Sequence, residues 1–214
     1  MPHHQVEQNT DEWRLLRVGS LGASAVHEVV AKTKSGYSAS RANKMAALIV
    51  ERLTGRPQDT YQNAAMLAGI EREPQAREEY AFQEGVTVEP AGLWTHPKIK
   101  FTHASPDGLV GNDGLVEIKS PQHAAHLDVL LGNSVPDRYL IQMQWQLRCT
   151  DRQWCDFVSY NPDFPEGMKL WIKRVTRDDA RIAALETEVI AFLKELDGKY
   201  KTLMDSFAAK GKAA

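Results

Sequence analysis

One stretch of the chain, from Ser105 to Ser120, constrains the fold more than any other; it reads S-P-D-G-L-V-G-N-D-G-L-V-E-I-K-S. Short apolar pairs flank the turn-forming residues 111–114, a pattern that predicts a β-hairpin. If the loop is centred on Asn112, Asp107 lies opposite Glu117, with the two Cβ atoms about 4.5–5.5 Å apart. Carboxylates about 5 Å apart repel by roughly 3 kcal/mol at an effective dielectric constant of about 20. A folded chain tolerates this repulsion if one carboxyl group keeps a proton or if a cation lies between the two.

Lys119 adds a positive charge to the same side of the predicted hairpin. Residues two apart in a strand share a face, so Glu117 and Lys119 point the same way and Ile118 points into the core. Two acids and a lysine placed in this way can hydrolyse a phosphodiester, because carboxylates hold Mg²⁺ and a lysine orients or activates water and offsets developing charge. An exposed hairpin with a solvated salt bridge fits these three residues equally well.

The composition is that of an ordinary soluble protein, with 214 residues, 43% of them hydrophobic and 25% charged. We predict one domain over residues 11–208, with disordered tails at 1–10 and 209–214. The formal net charge of −2 gives no indication of nucleic-acid binding, so any DNA contact must come from a local basic lining. No apolar run approaches the roughly 18 residues of a membrane span, and no signal sequence is present. The two cysteines, Cys149 and Cys155, lack a CxxC spacing; this fits a reducing cytoplasm and argues against an iron–sulfur nuclease, whose cluster needs four thiolates.

Apolar periodicity and turn residues predict alternating helices and strands along the chain. The predicted helices cover 12–18, 24–31, 41–53, 60–84 with a break near Pro74, 122–131, 138–147 and a long segment from 178. The predicted strands cover 86–88, 92–95, 99–103, 153–160 and 168–175, besides the hairpin. A basic loop at 32–40 leads into Arg41, which could track a DNA strand. His123 and His126 are spaced as a metal pair, but no carboxylate or thiolate accompanies them, so a surface face is the better interpretation.

The hairpin pattern, P-D followed by E-I-K with Glu117 ten residues after Asp107, resembles the PD-(D/E)XK nuclease motif. That short motif occurs by chance in many proteins. The wider sequence from Trp13 to Tyr160 is similar to the family of phage lambda exonuclease and the YqaJ-type viral recombinases, with further matches in the same order. The resemblance implies an α/β fold with a restriction-endonuclease-like core, a mixed central β-sheet flanked by α-helices.

The resemblance also implies roles for individual residues. Asp107, Glu117 and the backbone carbonyl of Ile118 would hold metal, and Lys119 would position and activate the attacking water. A glutamate in the sequence G-I-E-R-E-P-Q-A-R, Glu73, would support a second metal or its waters. The remaining implied contacts are to DNA: Arg17 and Ser24 to a 5′ phosphate, Tyr139 and Gln142 from a Y-x-x-Q pattern to the strand being cut, and Met66 as a wedge at the terminal base pair.

From the residues alone, the better interpretation of Arg17 is a surface charge and that of Ser24 is a helix N-cap. Gln142 and Gln146 share a helix face, and such neutral donors suit contacts to a DNA backbone.

The function that the resemblance implies is a Mg²⁺-dependent 5′→3′ exonuclease on double-stranded DNA, which releases 5′-mononucleotides and leaves a 3′ single-stranded overhang for recombination. It further implies a two-metal site in which Mn²⁺ could replace Mg²⁺, a ring-shaped homotrimer that acts processively on DNA ends, and a single-strand annealing protein as partner, all in the cytoplasm of a bacterial host. Two alternatives stay open: a PD-(D/E)XK endonuclease that cuts internally, and a catalytically silent protein that binds DNA ends.

Overall fold

The computed structural model of the chain describes residues 3–58 and 64–211 and contains mixed sheets with helices packed against them. The helices are α1 Asp11–Leu16, α2 Val26–Val30, α3 Ala39–Thr54, α4 Ala64–Glu84, α5 His123–Gly132, α6 Asp137–Thr150 and α7 Asp179–Gly211. The strands are β1 His3–His4, β2 Leu21–Gly22, β3 Lys32–Thr33, β4 Gly36–Tyr37, β5 Val88–Glu89, β6 Leu93–Thr95, β7 Thr102–Ala104, β8 Gly108–Val110, β9 Gly114–Lys119, β10 Trp154–Tyr160 and β11 Leu170–Thr176.

The central sheet has five strands in the order β11-β10-β9-β8-β5. Strand β9 pairs parallel with β10, while its pairing with β8 and the pairing of β10 with β11 are antiparallel. Both faces of β9 are covered, which explains why all its residues from Gly114 to Ile118 are buried and why it reads as a nearly continuous apolar run. The predicted mixed sheet flanked by helices is therefore confirmed.

The β8–β9 hairpin has the predicted register. Gly108 pairs with Val116 and Val110 with Gly114, so the connection is centred on Asn112 and Asp107 lies opposite Glu117. Arg152 closes the loop by donating from Nη1 to the carbonyls of Gly111 and Gly114, at 2.8 and 2.6 Å. The hairpin is thus held from outside as well as by its own ladder.

A smaller sheet has the order β1-β6-β7-β2 and includes part of the predicted N-terminal tail. His3 and His4 pair with Trp94 and Leu93, and the His3 ring stacks on Trp94 with centroids 4.0 Å apart. The prediction of disorder over residues 1–10 is therefore wrong for this segment, because its partner lies some ninety residues away, where composition gives no sign of it. At the other end, α7 continues to Gly211, inside the tail predicted at 209–214.

Two helices place side chains over the central sheet. Helix α4 continues through Pro74, contrary to the predicted break. Its residues Ala76 and Tyr80 are fully buried against Val116 and Val158 of the sheet, which holds its second half in line. Helix α6 is buried along most of its length, including its three glutamines, so it is an interior helix between the sheet and α7. None of the helices in residues 3–58 and 64–211 has the length and apolar composition to span a bilayer.

Candidate active site

The hairpin brings Asp107, Glu117 and Lys119 together. The Oδ2 atom of Asp107 accepts a hydrogen bond from the backbone N–H of Ile118 at 2.6 Å, which joins the two strands at the level of the acids. Glu117 is completely buried, and its Oε1 forms a very short ion pair with Nζ of Lys119. Asp107 and Lys119 are partly exposed, so the site is accessible to solvent at these two residues although Glu117 itself is buried.

Two glutamines of α6 fix the carboxylate of Glu117. Gln142 donates from Nε2 to Oε1, and Gln146 donates from Nε2 to Oε2, both at 2.5 Å. The two residues are four apart, so they lie one turn apart on the same face of the helix. The family resemblance singled out Gln142 for this site, whereas for Gln146 the sequence suggested only contacts to a DNA backbone from the same helix face. Its role as a ligand-orienting donor was missed, although the i, i+4 spacing was the signal for it.

The electrostatics of the three residues are those of a site short of positive charge. Burial raises the pKa of Asp107 well above its usual range, and the neighbouring charge of Glu117 raises it further, while Lys119 offsets only part of this. Desolvation acts to lower the pKa of Lys119, but the carboxylates of Glu117 and Asp107 outweigh it and raise that pKa above its ordinary value. In the chain alone, Lys119 therefore keeps its proton.

Glu73 lies beside this cluster on α4. Its Oε1 accepts a hydrogen bond from Nη2 of Arg77, one turn further along the helix, at 2.5 Å. Burial raises the pKa of Glu73; the charges of Arg77 and Lys119 lower it, and that of Glu117 raises it. Glu73 is thus close enough to the hairpin to interact with Asp107, Glu117 and Lys119, so all four side chains predicted to be catalytic lie in one region.

The donor set fits a hard divalent cation. Two carboxylates are forced together, Lys119 neutralises them incompletely, and carbonyl oxygens are close by in the backbone of β9. No group of three or more His, Cys, Asp or Glu side chains in the described ranges has the arrangement of a metal cage. Mg²⁺ is usually held by one or two carboxylates, with waters and substrate phosphates completing its shell. Asp107, Glu117 and the carbonyl of Ile118 match that pattern.

Arg17 lies in a separate cluster, the Arg17 cluster, together with Trp13 and His103. The sequence pointed to Arg17 but to neither of its two partners. Its guanidinium lies 3.7 Å from the centroid of the Trp13 ring, and its Nε donates to Nε2 of His103 at 3.0 Å. Trp13 in turn donates from its indole to Oγ of Ser105 at 3.0 Å. Among the described residues, the terminal nitrogens of Arg17 have no hydrogen-bond partner. The spacing of Trp13 and Arg17, one helical turn, was a usable signal, but nothing local pointed to His103.

His103 is neutral in this arrangement. Burial lowers its pKa to about 3, and the charge of Arg17 lowers it in the same direction. Because Nε2 accepts from Arg17, the ring proton is on Nδ1, where it donates to Oγ of Ser20 at 2.8 Å. Burial also lowers the pKa of Arg17, to about 10, which leaves it charged at neutral pH.

Ser24 does not cap a helix as predicted. It is exposed in a 3₁₀ turn over Ala23–Ala25, and α2 begins only after that turn, with no side-chain cap. The terminal nitrogen Nη2 of Arg17 reaches toward Gly22, two residues before Ser24. The pair thus remains a predicted phosphate contact.

Tyr139 lies at the site and Arg41 does not. The Tyr139 ring stacks on Phe157 with centroids 5.3 Å apart, and Nζ of Lys119 lies 5.4 Å from its centroid. Arg41 is buried; it donates to the carbonyl of Val29 and forms an ion pair with Glu195 at 3.2 Å. The prediction that Arg41 contacts DNA is therefore withdrawn, because its guanidinium is occupied inside the fold. Met66 belongs to the first turns of α4, and its side chain lies outside the described residues.

Comparisons with known proteins show which family the chain resembles. The YqaJ-like viral recombinase domain matches residues 12–153. An uncharacterized protein of Acanthamoeba polyphaga mimivirus, R354, is 30% identical over 185 residues, which is 79% of this chain; the chain spans 32% of the length of that relative.

Solved structures of similar proteins extend the likeness to nearly the whole chain. Two structures of LHK-Exo, an alkaline exonuclease from Laribacter hongkongensis, are 46% identical, with TM-scores of 0.88 and 0.87; each covers 94% of this chain and 99% of its own, and one is a complex with dAMP. A phage-related exonuclease from Haemophilus somnus, 15% identical with a TM-score of 0.72 over 86% of this chain and 96% of its own, shares the fold. The predicted restriction-endonuclease-like α/β fold is confirmed by these structures. Given the extent of the domain match, the chain belongs to the YqaJ-like viral recombinase domain family.

Proposed function

We propose that this protein is a metal-dependent deoxyribonuclease that acts in recombination, and more specifically a Mg²⁺-dependent 5′→3′ exonuclease on double-stranded DNA ends. The observation that carries the proposal is the buried carboxylate of Glu117, held by Gln142, Gln146 and Lys119 directly across the hairpin from Asp107. Three donors on one buried carboxylate fix its position, and a site for phosphodiester hydrolysis requires such fixed groups. The similarity to LHK-Exo, whose name includes alkaline exonuclease, supports the same assignment.

Asp107, Glu117 and the carbonyl of Ile118 would hold Mg²⁺, with Glu73 supporting a second ion or its waters; Mn²⁺ has similar preferences for oxygen ligands. When bound, the metal polarises the scissile phosphate and lowers the pKa of a coordinated water. The work of the chain is to hold these oxygen donors at a fixed separation. Gln142 and Gln146 do this for Glu117, and the Ile118 N–H does it for Asp107.

Lys119 is charged in the chain alone, so its first role is to position water and to donate a hydrogen bond to a non-bridging phosphate oxygen as negative charge builds there. Its proton becomes easier to lose only when positive charge neutralises Glu117 and Asp107, because these two acids are what raise its pKa. In the reaction, water oxygen forms a bond to phosphorus, the bond from phosphorus to the 3′ oxygen breaks, and that oxygen takes up a proton. The terminal nucleotide leaves as a 5′-monophosphate.

The selection of 5′ ends would depend on Arg17, with Ser24 as a second donor. Trp13 and His103 already hold the Arg17 guanidinium in place, so a phosphate would meet a pre-oriented cation. Tyr139, beside Lys119, and Gln142, beside Glu117, would contact the strand to be cut, and Met66 remains the proposed wedge at the terminal base pair.

We also propose the assembly that the family resemblance implies. A homotrimeric ring around the DNA would allow processive digestion, and a single-strand annealing protein would receive the 3′ overhang, in the cytoplasm of a bacterial host. An overall charge of −2 is compatible with this arrangement, because only the residues that line the channel need to be basic.

The test uses linear duplex DNA labelled at one 5′ end and the same DNA as a closed circle, each with Mg²⁺ and with EDTA. We expect labelled mononucleotide from the linear DNA only, and only with metal. Nicking of the circle would favour the alternative of an endonuclease. Binding to ends without any cleavage would favour a catalytically silent end-binding protein.

A further inference from the structure

A cavity of about 450 Å³ lies next to the active site, between α4, the residues that follow β9, the N-terminus of α5 and the residues that follow β10. We name it the Arg72 cavity; its polar lining includes Arg72, Ser120, His123, Asn161 and Asp163. Its volume is within the range of about 300–1,000 Å³ that is typical of ligand sites. None of these five residues has a role in the hydrolysis proposed above.

Two pairs of consecutive residues join this cavity to the active site. On α4, Arg72 lines the cavity and Glu73 belongs to the acidic cluster; at the end of β9, Lys119 belongs to the active site and Ser120 lines the cavity. Consecutive Cα atoms are about 3.8 Å apart. The cavity therefore adjoins the active site along both elements, within reach of a nucleic-acid strand bound there.

The lining of the cavity is suited to an anion. Arg72 contributes a guanidinium with 31% of its side chain exposed. Helix α5 begins at His123, and its N-cap residue Gln122 makes no side-chain capping bond. Both residues line the cavity, so the partial positive charge of this helix end lies beside it. The Oγ atom of Ser120 is buried and has no hydrogen-bond partner among the described residues. A buried hydroxyl without a partner is costly unless a ligand or a water satisfies it.

An internal carboxylate now occupies the place of that anion. Asp163 accepts from Nε2 of His123 at 2.9 Å and lies 3.5 Å from Nη2 of Arg72. Its backbone N–H donates to Oδ1 of Asn161 at 3.1 Å, and Nδ2 of Asn161 donates to the carbonyl of Pro121 at 2.9 Å. Half of the Asp163 side chain is exposed, and ion pairs of this kind contribute little to stability. A phosphate group, with more oxygens and more charge, can replace this carboxylate at Arg72 and at the His123 ring.

We propose that the Arg72 cavity is a second phosphate-binding site, in which Arg72, the Ser120 hydroxyl and the N-terminus of α5 bind a phosphate group next to the scissile linkage, with Asp163 as the internal competitor. The site rests on the proposed function only in that the phosphate belongs to a nucleic acid. Its source is either a backbone phosphate of the bound strand or the 5′-phosphate of a released mononucleotide. Both sources require the same donors.

The test measures binding in EDTA, where no cleavage takes place. Fluorescence anisotropy gives the affinity for a short single-stranded oligonucleotide at several salt concentrations, and competition gives the affinity for dAMP. Arg72→Gln removes the cation, Asp163→Asn removes the competing carboxylate, and Lys201→Gln, an exposed lysine of α7, is the control for a general loss of positive charge. Thermal melting of each variant shows that it is folded.

We expect Arg72→Gln to weaken oligonucleotide binding about tenfold, as for the loss of a charge-assisted contact. The slope of log affinity against log salt should become shallower by about 0.7, the value for one lost phosphate contact on a single strand. Asp163→Asn should change affinity in the opposite direction, which a folding defect cannot imitate. If only dAMP binding shifts in these opposite directions, the phosphate is that of the product.

The proposal is overturned if Arg72→Gln and Asp163→Asn do not shift the affinity in opposite directions for either the oligonucleotide or dAMP. It is also overturned if Lys201→Gln weakens binding as much as Arg72→Gln. These outcomes are independent of catalysis. If the variants show the expected shifts in binding but the protein leaves linear DNA intact in Mg²⁺, the proposed nuclease activity is wrong and the proposed phosphate site still holds.

Discussion

Gln146 donates its side-chain amide to Oε2 of Glu117 at 2.5 Å, although the two residues are 29 positions apart in the chain. The oxygen of the same amide, Oε1, is buried without a hydrogen-bond partner in the described part of the chain. The contact is thus made at the expense of an unsatisfied polar atom, which a fold retains when the donor has a function.

Replacing Gln146 by Met should lower the rate of DNA cleavage by about 10- to 100-fold, the usual effect of removing a hydrogen-bond partner from a residue that holds a metal, which is the role proposed for Glu117. The Mg²⁺ concentration needed for half-maximal cleavage should rise, because Glu117 loses one of its orienting donors. Gln144→Met is the matched control: its amide, on the same helix, donates to the carbonyl of Thr176 and not to an acid. If both variants change the Mg²⁺ dependence equally, the cause is altered packing of α6 and not the loss of the hydrogen bond to Glu117.

Replacing Lys119 by Ala should reduce single-turnover cleavage by about 10²- to 10³-fold or more, as for loss of a donor to developing charge. Binding to DNA ends, measured by anisotropy in EDTA, should be largely retained. The reason is that Lys119 lies against Glu117 and not within the Arg17 cluster. Cleavage at an undiminished rate would show that another group positions the water.

Replacing Arg17 by Ala should remove the preference for 5′-phosphorylated over 5′-hydroxyl ends. The guanidinium is held by Trp13 and His103 with its terminal nitrogens available, and no other described cation is held in that cluster. Arg14→Ala is the control, since Arg14 is on the same helix and pairs with the exposed Asp11. Initial rates on the two kinds of end decide the matter, and an unchanged ratio would place the 5′-phosphate site elsewhere.

The buried histidines should make the fold sensitive to acid. Burial lowers the pKa of His103 to about 3 and that of His96 to about 4, from an ordinary value of 6.5. Below pH 6.5 these two histidines therefore bind protons in the unfolded chain but not in the folded chain. Their contribution to the free energy of unfolding is complete above that pH and falls as the pH drops toward 4. For His103 the loss between pH 7 and pH 5 is roughly 2 kcal/mol.

Denaturant unfolding at pH 7, 6 and 5 checks this dependence. His103→Asn should be less stable at pH 7 but should lose less stability on acidification, by about one proton in the slope of unfolding free energy against pH. A variant with the same slope as the original chain would show that other groups cause the acid sensitivity.

The hairpin could be predicted from the sequence because its information is local. Turn residues, alternation and the distance between Asp107 and Glu117 all lie within one short segment, and the register follows from them. Gln142 and Glu73 needed the family resemblance, since their contacts come from helices far away in the chain.

The remaining features depend on packing that no local pattern encodes. Trp13 and His103 meet around Arg17 only when β7 lies beside β2. Arg41 looked like a surface cation after a basic loop, but tertiary packing buries it between Tyr37 and Phe192, with Glu195 as its ion pair. His3 stacks on Trp94, although the polar composition of residues 1–10 predicted a disordered tail.

The hairpin also has a consequence for how the chain folds. Hairpins form in about 1–10 μs, long before distant elements dock, so Asp107 and Glu117 meet before α6 can supply Gln142 and Gln146. Until that helix arrives, Lys119 and the Ile118 N–H are the only groups on the hairpin itself that stabilise the acid pair. We therefore expect the two acids to meet early in folding and to gain the hydrogen bonds of Gln142 and Gln146 only when α6 packs against the sheet.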